Sequence, residues 1–149
     1  MPLVLVIHVL AAVIWVGGMF FAYQILRPAM QSLEPAVRLP LWARTFGRFF
    51  PWVWASVILL PVTGYFMIDR WFGGFAAAPP YVNIMQTLGI IMILIYLHVY
   101  FAPYRRLKNA LAADDLRRAA GAISQIRILV GTNTALGLIT IAIAVAGSR

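Results

Sequence analysis

The sequence predicts an all-α fold: an integral membrane four-helix bundle with both its N and C termini on the outer, periplasmic side. Three observations predict it. First, 63% of the 149 residues are hydrophobic and only 11% are charged, whereas a water-soluble domain is nearer half and a quarter. Second, four stretches lack Lys, Arg, Asp and Glu over about the length a spanning helix needs, roughly 20 apolar residues. Third, the basic residues gather in two of the three connecting loops.

The spans fall at residues 2–26, 51–68, 82–102 and 128–146, within one transmembrane domain covering 1–149. The first apolar run starts at residue 2 with no basic segment before it, so it reads as a retained span rather than a cleaved leader. Pro61 lies inside the second span and predicts a kink near 57–61. The loop 27–50 carries Arg27, Arg38, Arg44 and Arg48 against Glu34. The loop 103–127 carries Arg105, Arg106, Lys108, Arg117, Arg118 and Arg127 against Asp114 and Asp115. The loop between spans two and three has only Asp69 and Arg70. The positive-inside rule therefore places 27–50 and 103–127 in the cytoplasm, beside anionic lipid. The same placement turns the net charge of +8 away from a nucleic-acid reading.

Within the loops, residues 41–50 mix Trp42, Phe46, Phe49 and Phe50 with Arg44 and Arg48. That pattern suits an interfacial helix or an extension of span two. Asp114 and Asp115 are candidate caps for a helix running through Arg127 into span four. Residues 71–81, with aromatics, glycines and Pro79-Pro80, belong to the outer aromatic belt.

Several chemistries are excluded. With no cysteine there are no disulfides and no thiolate metal sites. No carboxylate lies in a span, which removes paired-acid hydrolysis and the usual proton-coupled transport. Neither a zinc pattern nor a nucleophile elbow nor a phosphate-binding glycine loop is present.

What remains is His8 in span one and His98 in span three. Ionisable side chains in the bilayer are costly and mark functional sites, although a hydrogen bond to a neighbouring helix also accounts for a histidine. Neutral imidazole ligates haem iron and copper. Spans one and three run in the same direction, and the two histidines differ in depth by about 18 Å at 1.5 Å per residue. They mark an outer and an inner site rather than two ligands of one iron. Asn83, Met85, Gln86, Thr63, Tyr65 and Met67 share the depth of His8, and Met85 beside a histidine suits a soft metal. Tyr23, Gln24, Thr132, Asn133 and Thr134 share the depth of His98. Arg48 and Arg127 lie just below, where they can pair with carboxylates such as haem propionates or with lipid head groups. Ala11, Ala12, Trp15 and Gly18 continue the His8 face, and small residues there admit a helix or a flat ligand. A homodimer along that face would bring two copies of one histidine to equal depth.

The segment from His8 through Trp15, Gly17 and Gly18 to Arg27-Pro28 resembles the first helix of the copper-resistance protein D (CopD) family of bacterial membrane proteins. Arg48-Phe-Phe-Pro51-Trp-Val-Trp54, Tyr81-Val-Asn-Ile-Met85-Gln86 and His98-Val-Tyr-Phe-Ala-Pro103 with Arg105-Arg106 resemble a short, four-span branch of it. More distantly the chain is similar to the HemJ type of protoporphyrinogen oxidase, whose His and Lys near the start of span three are here Asn83 and Met85. The resemblance implies the bacterial inner membrane and copper handling, or haem and porphyrin chemistry, with a periplasmic metal or redox partner. The expectation is a CopD-like haem b- or metal-binding membrane protein with a redox role. Its cofactor-binding residues would be His8, His98, Trp15, Gly18, Arg48, Arg127 and Asn133, and its metal ligands His8, His98 and Met85. The rivals are a copper transport or resistance protein, a porphyrin- or quinone-linked oxidoreductase, and a ligand-free assembly subunit.

Overall fold

A computed structural model describes residues 2–149. Among them the elements are helical and no strand occurs. Helix α1 is Pro2–Phe21, continued by a π-helical turn at Ala22–Leu26 and by the short α2, Arg27–Ala29. Helix α3 is Pro35–Met67, ending in a second π-helical turn, Ile68–Phe72. Helix α4 is Pro80–Phe101, α5 is Pro103–Ala112 and α6 is Leu116–Gly147. Four helical segments are long and apolar enough to cross a membrane, matching the four expected spans.

The boundaries follow from local chemistry. Pro35, Pro80 and Pro103 each sit in the first turn of their helices, where the missing N–H costs nothing. Ala102, ahead of Pro103, leaves helical geometry at φ −115 and ψ −86, and the proline ring disfavours the α conformation at that position. After α3, Gly73 takes a left-handed φ of 75 and its N–H bonds to the Asp69 carbonyl. That conformation closes the helix end and favours glycine. At α6 it is Asp115 that caps, accepting from the Arg118 N–H at 3.1 Å. Its neighbour Asp114 instead makes the turn with φ 54.

Helix α3 runs unbroken through Pro40, Pro51 and Pro61, so residues 41–50 are an extension of span two rather than a separate helix. Its 33 residues and the 32 of α6 give rods of roughly 50 Å, against about 30 Å of hydrocarbon. The surplus lies at the end that bears the two basic loops. There α5 folds back onto α6, and the first turns of α3 join them. This end has its own apolar interior: Leu107, Ala110 and Ala119 are 0% exposed and Leu39 is 1%. The two basic loops are therefore a packed helical cap and not irregular chain.

Within the spans the tight backbone pairs are α1 with α3 and α4 with α6. Antiparallel α1 and α3 meet through small groups. The Phe49 ring fills the hollow over Gly18, where a Cβ would lie 2.2 Å from it. Ser56 Oγ reaches the Ala11 carbonyl at 3.0 Å. Helices α3 and α4 meet instead through rings. Trp54 packs edge-on to Tyr96 at 5.3 Å and to Tyr100 at 5.2 Å, and Phe50 packs on Tyr96 at 5.5 Å and on Tyr104, in the first turn of α5, at 4.8 Å. Edge-to-face pairs of this kind add to simple area burial.

Candidate functional site

His8 lies half-buried between α1 and α3, at the end of the bundle that bears the chain termini. Its Nδ1 is 2.7 Å from Thr63 Oγ1. The Thr63 hydroxyl is in turn 2.6 Å from the Leu59 carbonyl. A carbonyl only accepts, so the single hydroxyl proton goes to Leu59. The Thr63 oxygen must therefore accept from His8, and Nδ1 carries a proton. In the neutral imidazole this leaves the Nε2 lone pair available to a ligand. Gly64 makes room for the ring: a Cβ there would stand 3.2 Å from His8 Cε1. The triad His8, Thr63 and Gly64 thus fixes both the tautomer and the place of one imidazole.

The other expected site residues are dispersed. His98 is exposed on the outer face of α4 and has no hydrogen-bond partner among the described residues. Trp15 is buried in the core, edge-on to Tyr96 at 6.3 Å. Gly18 is covered by Phe49. Arg48 and Arg127 are exposed at the start of the cap, with Arg127 beside Tyr23 and Trp42. Met85 is half-buried near the start of α4. Asn133 is 3% exposed; its Nδ2 donates to the Met92 carbonyl at 3.1 Å, while its Oδ1 has no partner. No group of three His, Cys, Asp or Glu side chains gathers around a common point among the described residues.

The expectation of haem b inside the bundle meets a problem of space. The cavity among Trp15, Phe50, Tyr96 and Asn133 holds about 20 Å³, and that among Tyr23, Trp42 and Arg127 about 30 Å³. Each admits a water or two, whereas pockets for organic cofactors run to roughly 300 Å³ and more. The residues present do not fit a porphyrin between the helices of one chain. Rings from α3 and α4 take the space instead.

Two features escaped the sequence reading. Gly64 gives no signal by type, since a glycine in a span is ordinary. The aromatic array carried one: Trp42, Phe46, Phe50 and Trp54 recur every four residues on α3, as do Tyr96, Tyr100 and Tyr104 across α4 and α5. That spacing stacks side chains on a single helix face.

No curated protein and no solved structure matches the chain. One family does, described as Copper resistance protein D, over residues 43–146. The matched segment takes in most of α3 and all of α4 and α5, and runs to the last turn of α6; α1, with His8, lies outside it. Covering more than half of the sequence, with four apolar helices of the right length, the match shows that this multi-pass membrane protein belongs to the CopD family.

Proposed function

We propose that the protein handles Cu(I) in the bacterial inner membrane, with His8 as the imidazole ligand of an outer, periplasm-facing site. The single observation that carries this reading is the hydrogen-bond relay from His8 Nδ1 through Thr63 to the Leu59 carbonyl. It places a proton on Nδ1, so that the neutral ring presents an unprotonated Nε2, the form a soft cation requires. Membership of the CopD family supports copper as the cargo. The packed interior favours a single ion over a macrocycle. Met85, half-buried near the start of α4 on the side of the bundle that bears the termini, is proposed as a soft donor there. The concentration of basic residues in 27–50 and 103–127 supports the orientation with both termini outside.

From the neutral ring the site would take up Cu(I) by displacing solvent or a carrier's ligand, with no proton to remove from Nε2. The test is an anaerobic Cu(I) titration of the purified protein in lipid nanodiscs, competed against a chelator. His8→Ala is expected to abolish binding at the outer site, and Met85→Leu to weaken it. Copper content and affinity unchanged in His8→Ala would overturn the reading. A Soret band on haem addition that disappears with the same substitution would favour the haem alternative.

A further inference from the structure

Asn133 on α6 is the exception in the bundle interior. It is 3% exposed, and its Nδ2 is spent on the Met92 carbonyl. Its Oδ1 has no partner, and no other buried side-chain nitrogen or oxygen among the described residues is left so. A buried acceptor without a donor is costly between lipid-facing helices, and it calls for a strain, an ion or a ligand to account for it. The residue stands in the wall of the cavity of about 20 Å³ that Trp15 and Met19 of α1 also line. Met19 is 4% exposed and Trp15 2%. One thioether, one indole and one amide therefore border the same small space. A second cavity, of about 30 Å³, continues the first toward the basic cap. The two share Ala22, Phe46 and Val130, and the second reaches the exposed Arg127. Ala22 is the smallest residue of that shared wall, and it opens the π-helical turn of α1. Single π-turns within helices are frequent at functional sites.

Chemistry narrows the occupant. The three groups are neutral, and no carboxylate lies in any span. A divalent cation would keep its desolvation cost, since nothing anionic offsets it. A soft monovalent cation suits all three groups: the thioether is a soft donor, an indole attracts a cation to its ring face, and an amide oxygen accepts one. We propose that Met19, Trp15 and Asn133 form a second Cu(I) site in the half of the bundle nearer the basic cap, loaded past Ala22. The site rests on the reading of the protein as a Cu(I) handler. It is separate from the outer one, since Met19 lies about three turns of α1, roughly 16 Å, beyond His8. Without an anionic ligand it holds the ion weakly, as suits a station that must release what it takes up.

Ag(I), a soft monovalent ion that stays in one oxidation state, is the probe. In lipid nanodiscs the parent should bind about two Ag(I) per chain and His8→Ala about one. Adding Met19→Leu to His8→Ala, which removes the sulfur at similar volume, should abolish the remaining ion. Adding Asn133→Leu instead should weaken it severalfold. Met19→Cys, a soft donor in a chain that has no other cysteine, should restore binding and so separates a lost ligand from a lost fold. Ala22→Leu should slow the loading of this ion without lowering the final amount, and equal loading rates would overturn the route. Residual binding in His8→Ala that Met19→Leu leaves intact, or no residual binding at all, overturns the second site and leaves the outer one standing. Two ions still bound in His8→Ala, with one lost on adding Met19→Leu, would sink the outer site alone.

Discussion

At the scale of single residues, the chemistry of this protein turns on which proton goes where. Thr63 looks like an ordinary hydroxyl bonding back to its own helix, yet its one proton is spent on Leu59 and its oxygen is left to receive His8. Thr63→Val removes that acceptor while preserving shape. It is expected to weaken Cu(I) at His8 by about 10–100-fold, the usual cost of losing an outer-shell partner, with Thr63→Ser close to the parent; chelator competition reads both. Gly18 is a residue-scale feature of another kind. It owes its place to the Phe49 ring, so Gly18→Val should cost about 1–3 kcal/mol by overpacking. The double variant Gly18→Val with Phe49→Ala should recover part of that loss in thermal unfolding, whereas a glycine needed for a bound ligand would not be rescued.

At the scale of elements, helix ends and helix faces behave differently. The adjacent acids before α6 have distinct roles that their type does not reveal. Asp115 caps the helix and Asp114 supplies a left-handed turn. Asp115→Ala should therefore cost about 1 kcal/mol, while Asp114→Gly should be neutral or slightly stabilising, since glycine adopts that φ without strain. Thermal unfolding in detergent checks the pair. Both acids are readable as helix-start signals in the sequence, but only the chain's path after α5 assigns one to each task. The three prolines of α3 teach the converse. At Pro61 the expectation is a kink near 57–61, and helical structure continues through all three prolines, since neighbouring helices can compensate a missing hydrogen bond.

At the scale of the whole molecule, the bundle has two regions of unlike solvation. The spans bury little of their surface within the chain, leaving lipid to cover the rest, whereas the cap formed by α5, the start of α6 and the start of α3 is a true protein core. Leu107→Ala in that cap should cost about 2–5 kcal/mol. Its helices should resist amide exchange far longer than connecting loops would, which hydrogen-exchange mass spectrometry reads directly. If 27–50 and 103–127 were irregular segments, their exchange would be complete within the first time points. Arg48 and Arg127 are exposed where this cap meets the spans, and His98 is exposed on α4.

Hydropathy and charge by themselves determined the number of spans, their approximate limits and the clustering of cations at one end, because these follow from solvation free energy residue by residue. They also placed His8 and Thr63 at a common depth, since rise per residue is fixed. What only the tertiary structure decided is rotation about each helix axis. The turn of α1 toward α3 joins His8 to Thr63 and gives the ring a defined tautomer. The turn of α4 sends His98 to the outside and Tyr96 to the core. In a chain where nearly every face is apolar, periodicity carries almost no signal for that rotation. Packing of rings and glycines sets it instead, and with it the separation of one buried imidazole from one exposed.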